Sequence, residues 1–77
     1  SMKSMPKPST DFLEQGNVVV SIRVDKAGNV VAASIGDGTT ISDRYTQQLA
    51  LDAARRAKFT EGDKEQIGSI TYNFKLN

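Results

Sequence analysis

Apolar residues recur at every second position through the run from Gly16 to Ile35, GNVVVSIRVDKAGNVVAASI. Val18, Val20, Ile22 and Val24 keep that period, which places side chains on one face of a β-strand. Asp25-Lys26-Ala27-Gly28-Asn29 then interrupts it, short and rich in residues that tolerate positive φ, so the two flanking strands are expected to fold back as an antiparallel hairpin with Gly28 in the left-handed position. In the second strand Val31, Ala33 and Ile35 alternate with Val30, Ala32 and Ser34, and the alanines leave room for an element packed closely above. The last apolar run, Ile67 to Leu76, reads IGSITYNFKL. Ile70, Tyr72, Phe74 and Leu76 alternate there with Ser69, Thr71, Asn73 and Lys75, predicting a third strand with one apolar and one wet face.

Between the second and third strands the period changes. Ser42 or Asp43 can cap a helix running to about Lys58, with no Gly or Pro inside it. Thr46, Leu49, Ala50, Ala53 and Ala57 fall on one stripe at 3.6 residues per turn, while Gln47, Leu51, Arg55 and Lys58 point elsewhere. A stripe so rich in alanine predicts a helix lying close on the sheet, with Leu51 exposed. Arg55, Arg56 and Lys58 complement the helix macrodipole, and Phe59 closes the end of the core. Residues 1–15 carry Pro6 and Pro8 and read as a flexible lead-in, with Phe12 and Leu13 folding onto an edge of the core. The expected architecture is a small α+β domain over residues 16–77: an antiparallel three-stranded sheet in the order second-first-third, with one helix on one face. The third strand is then an edge without Pro, its only charge Lys75 near the end, and so is open to another strand.

Length and composition narrow the chemistry. At 77 residues the chain is a single domain near the lower limit for a self-sufficient apolar core. It has no Cys and no His, which removes disulfides, Cys/His zinc sites and the Ser-His-Asp and Cys-His nucleophile arrangements. No catalytic residue, metal ligand or cofactor site is therefore expected, and the chain reads as a non-enzyme. Ten basic and nine acidic residues are interspersed, for a net charge of +1, which indicates no nucleic-acid partner. No apolar stretch approaches the roughly 20 residues that span a bilayer. Ser1-Met2-Lys3-Ser4-Met5 lacks the apolar centre of a signal peptide, and such a start is expected of a cloning remnant or a piece cut from a longer protein. Gly36-Asp37-Gly38-Thr39-Thr40 reads as a turn, without the lysine or glycine spacing of a phosphate loop. Glu61, Asp63 and Glu65 read as a solvated loop, because their spacing is not that of a calcium loop. Asp25 enters a turn, where Asp is common for local hydrogen-bonding reasons.

Three segments in order carry a resemblance: Gly16-x-Val18-Val19-Val20-x-Ile22-x-Val24-Asp25-x-x-Gly28-x-Val30; the helix end Ala53-Ala54-x-x-Ala57-x-Phe59; and Gly68-x-Ile70-x-Tyr72-x-Phe74-x-Leu76. Together they resemble the C-terminal domain of TonB-family energy transducers of the Bacteroidetes type, over about Pro6 to Asn77. The resemblance implies a periplasmic module whose parent protein is anchored in the inner membrane and works with a proton-driven motor complex. It implies binding of the TonB box of outer-membrane TonB-dependent transporters, which adds as a strand to the domain's last strand and couples proton motive force to nutrient import. The partner-binding residues implied are Ile67, Gly68, Ser69, Ile70, Thr71, Tyr72, Asn73 and Phe74, with Ser69, Thr71, Tyr72 and Asn73 biasing which peptide fits. It also extends to the lead-in residues Pro6, Lys7 and Pro8, although many family members carry Tyr-Pro where this chain has Pro-Lys-Pro-Ser. Self-pairing through the same strand, as an intertwined homodimer, belongs to the same family behaviour. An alternative implied by similar domains is the C-terminal sensor or positioning tail of a membrane-bound zinc peptidase or antirepressor.

Overall fold

Strand β2 (Gly16–Val24) is where the chain commits its most apolar alternation, and the fold is built outward from it. In the computed structural model, which describes residues 2–76, Val18 and Val20 are fully enclosed and Ile22 and Val24 nearly so. Ser1, part of the expected non-native start, and Asn77, the end of the expected domain, lie outside the described residues. β2 pairs antiparallel on both sides, with β3 (Val30–Ile35) and with β5 (Gln66–Phe74), so the sheet order is β3-β2-β5. Among the described residues the molecule is thus a small α+β domain with one helix, this three-stranded sheet and a second, two-stranded one.

The turn between β2 and β3 forms as the Asp and Gly chemistry dictates. Asp25 Oδ1 accepts from the Asn29 N–H at 2.9 Å, the Gly28 N–H donates to the Asp25 carbonyl at 3.0 Å, and Gly28 adopts φ +90°. Just beyond it a bulge shifts the register: Arg23 faces Ala32, Val24 faces Val30, and Val31 is left without a partner. Strict alternation predicts Val31 on the same face as Ala33 and Ile35. The bulge breaks that parity, so Val30 packs against the core and Val31 is exposed.

After β3 the loop runs back along β2. Thr39 Oγ1 accepts from the Val19 N–H at 2.9 Å and donates to the Gly36 carbonyl at 2.9 Å. Thr40 Oγ1 accepts from the Asn17 N–H at 2.9 Å while the Thr40 N–H donates to the Asn17 carbonyl at 2.9 Å. These bonds pair the part of β2 that β3 does not reach. Helix α1 (Arg44–Arg56) follows, with Asp43 as its N-cap, accepting from the Thr46 N–H at 2.8 Å and the Thr46 hydroxyl at 2.7 Å. Such a cap stabilises by about 1 kcal/mol.

The helix buries Thr46, Ala50, Ala53 and Ala54, with Ala57 enclosed at its C-cap. It ends before Lys58, which belongs instead to β4 (Lys58–Phe59). Leu51, expected on the exposed side, packs against the core. Gln47 tucks its amide onto the Ile41 carbonyl at 2.7 Å, which fits a buried stripe turned toward the 47–51–54 side. Leu49 is only half-buried. The small side chains let the helix lie over β3 and β2, and Ala33 is among the residues packed there.

The lead-in is more ordered than its prolines suggest. β1 (Met2–Ser4) pairs antiparallel with β4, and Met2 and Phe12 pack against the core. Phe12 meets Phe74 edge-on with ring centroids 5.0 Å apart. Glu14 Oε1 accepts from the N–H groups of Ser42 at 3.0 Å and Asp43 at 2.8 Å, and the Leu13 N–H donates to Thr46 Oγ1 at 3.0 Å. Leu13, expected to fold onto the core with Phe12, is exposed, and its backbone N–H makes the bond to Thr46.

Candidate functional site

β5 is held at nine consecutive positions by one neighbour and on its other side by none. Its register with β2 runs without a shift from Gly16 opposite Phe74 to Val24 opposite Gln66, and no strand among the described residues lies beyond it. The opposite edge of the sheet, β3, is also outermost, but it is shorter and its bulge disturbs the row of donors and acceptors. β5 is the longer of the two edges and the one whose register is unbroken.

The side chains of the expected partner-binding residues divide by face. Ile70, Tyr72 and Phe74 are buried in the core, while Ile67, Ser69, Thr71 and Asn73 are exposed on the far side of the sheet. Tyr72 is therefore not available to select a peptide through its side chain, contrary to the sequence expectation, and only its backbone lies along the β5 edge. Gly68 lies on the core-facing side opposite Ile22 yet presents no side chain. Leu76, expected to continue the apolar face, is 53% exposed. The ladder stops at Phe74 because its partner Gly16 begins β2, and Leu76 donates its N–H to Gln15 Oε1 at 3.0 Å.

The lead-in residues named by the resemblance lie against their own domain. Pro6 and Pro8 are half-buried, and the Lys7 carbonyl accepts from Arg56 Nη2 at 3.4 Å, near the C-terminal end of α1.

Tyr72 carries one unpaired polar atom. Its residue is 5% exposed and, among the described residues, its hydroxyl has no hydrogen-bond partner. Burial pushes its pKa up from the ordinary 10.0, with the charge of Arg56 pulling part of the way back. Because the folded state resists ionisation, the unfolded chain loses this proton first, so stability falls as pH rises past about 10. Removing the orphaned hydroxyl removes a desolvation cost on the order of 1 kcal/mol. Tyr72→Phe is expected to gain about that much stability in urea unfolding at pH 7 and to show a shallower decline above pH 10. A loss of stability would mean that the hydroxyl has a partner in solution.

At the Gln66 end of β5, between the strand and the preceding loop, is a partly open cavity of about 420 Å³. Ile22, Val24, Phe59 and Gly68 are among its lining residues, together with Asp25, Glu61 and Lys64. Arg23 and Glu65 form an exposed ion pair at 3.4 Å nearby, of the kind that contributes little.

Among the described residues no cluster of His, Cys, Asp and Glu is arranged to hold a metal, and no helix is long and apolar enough to cross a membrane. Comparison with protein-family models, with curated proteins and with solved structures found no match to this chain.

Proposed function

We propose that this domain is a peptide-binding adaptor that captures an extended segment by β-strand addition to β5, in the manner of a TonB-type transducer domain. The observation that carries the reading is the free edge of β5, nine residues in unbroken register with β2 and without proline. Strand addition takes its affinity from main-chain hydrogen bonds and its selectivity from alternate side chains. Further support comes from the three-stranded sheet, in which β2 is central, β5 is an edge, and the helix lies between β3 and β5 along the chain. On this reading the domain works in the periplasm, its parent protein is anchored in the inner membrane beside a proton-driven motor, and its ligand is the TonB box of an outer-membrane transporter.

About four to six new backbone hydrogen bonds, each worth roughly 0.5–1.5 kcal/mol, work against an association cost of about 4–15 kcal/mol. The strand alone therefore binds weakly, and tethering both partners at the same membrane interval raises their effective concentration. Weak capture suits a transducer that must let go after each cycle.

The test is an amide chemical-shift titration with peptides from the N-terminal segments of TonB-dependent transporters. Shifts concentrated on residues 66–74, with slowed amide exchange there, are the expected outcome. Shifts located elsewhere, or none at millimolar peptide with the domain folded and monomeric, would sink the reading.

A further inference from the structure

The cavity beside Gly68 gives the β5 edge a means of choosing among extended peptides. On the core-facing side of β5 the residues run Gln66, Gly68, Ile70, Tyr72 and Phe74. The last three fill their places in the core, but at Gly68 there is only backbone, and a Cβ built there meets nothing within 4 Å. The space is continuous with the cavity over Ile22 and Val24, whose outer wall includes Phe59. A strand added beyond β5 lies about 4.8 Å away and presents every second side chain to this same face. The side chain opposite Gly68 has no neighbouring Cβ to block it from leaning inward.

Size and charge define what fits. An apolar cavity of about 150 Å³ already accommodates benzene, so about 420 Å³, partly open and walled by Ile22, Val24 and Phe59 with polar groups such as Thr60 and Gln66 at its sides, has room for one aromatic or branched aliphatic side chain. The loop beside the cavity carries Glu61, Asp63 and Glu65 with Lys64 as its one basic residue; Glu65 is paired with Arg23, while among the described residues Glu61 and Asp63 make no ion pair. Gln66 directly follows that loop and lines the same cavity, so a residue of the added strand opposite Gln66 is the one set toward the loop's carboxylates.

We propose that Gly68 and its cavity form a specificity subsite for an extended peptide with one large apolar side chain opposite Gly68 and a basic side chain two positions away, opposite Gln66. This rests on the strand-addition reading and adds to it which peptides are preferred. The subsite supplies the side-chain anchor that the backbone ladder lacks.

The experiment uses ten-residue peptides of alternating threonine and serine, with one central guest residue and a lysine two positions to either side of it. Amide-shift titrations of the unaltered domain compare Ala, Leu and Phe guests. The Leu and Phe peptides are expected to bind about tenfold more tightly than the Ala peptide, the scale on which apolar pockets discriminate. Replacing the lysines by glutamates is expected to weaken binding several-fold at low salt, with the difference shrinking at high salt. In Gly68→Leu, whose new side chain enters open space at a position without positive φ, the advantage of the large guests is expected to vanish while the Ala peptide binds as before. Equal affinities for all guests on β5, or a Gly68→Leu domain that still discriminates, would overturn the subsite and leave strand addition standing. Failure of every peptide to shift β5 would overturn strand addition and the subsite with it. Because the guest comparison is made on the unaltered protein, it does not depend on how any variant folds.

Discussion

Gly28→Ala loses about 3 kcal/mol or more of folding stability, a large share of the roughly 4–12 kcal/mol typical of a domain this size. Two causes combine. Gly28 sits at φ +90°, where an L side chain is strained, and a Cβ there would lie 2.0 Å from the Phe59 carbonyl oxygen. That oxygen is backbone, fixed by the bond from the Phe59 N–H to the Gly28 carbonyl at 2.9 Å and by the Asn29–Lys58 bridge, and it cannot swing aside. Relief requires the hairpin turn and the strand after the helix to separate. Gly38→Ala is the matched comparison, because φ is +93° there but the new Cβ would make an ordinary 3.4 Å contact with Val19 Cγ2. It is expected to cost only about 1–2 kcal/mol, the conformational part alone. Urea unfolding of both variants separates strain from collision. Equal losses would mean that turn and β4 are not in contact in solution.

The second large effect concerns the ring pair at the other end of the sheet. Phe74 is 3% exposed at the end of β5, and its truncation to Ala is expected to cost about 3–5 kcal/mol. Phe12, half-buried in the lead-in, should cost less when truncated, but the two losses should not add. The rings stand edge to face with centroids 5.0 Å apart, a geometry worth about 0.5–1.5 kcal/mol beyond area burial. A double-mutant cycle reading a coupling in that range would make the lead-in part of the core. A coupling near zero would mean that the lead-in is released in solution and that the domain's cooperative unit begins at β2.

β2 and β5 could be read from the chain because each presents one face to a core and the other to water, and a period of two is then enforced along the whole element. β3 obeys the same rule only until its bulge. Nothing in VVAASI marks the position where one residue drops out of the ladder, so Val30 and Val31 exchange faces relative to strict alternation. On the helix the wheel identified the alanine stripe but misplaced Leu51, which packs against the core on the same side as Gln47, whose amide bonds the Ile41 carbonyl just ahead of the helix. β1 and β4 are too short to carry any period, and the prolines of the lead-in hide a path fixed by Glu14, Phe12 and the helix N-terminus. For the candidate site, the free edge followed from pattern and topology together. The apolar face of Tyr72 followed from the alternation as well, although its enclosure removes the side chain from any choice of peptide; the void at Gly68 did not follow, since alternation says which face a residue takes and not whether that face is filled.

The register of the sheet also implies an order of assembly. β2 meets β3 across the short turn at residues 25–29, whereas it meets β5 only after the chain has passed through the loop, the helix and β4, with Gly16 opposite Phe74. Closing the long loop carries the larger entropic cost, so the hairpin and helix form early and β5 docks late. In that interval the exposed edge is β2 itself, with its alternate apolar side chains not yet covered by β5. In this order of assembly β5, the outer strand whose far edge no described strand covers, is thus the last part of the sheet to arrive.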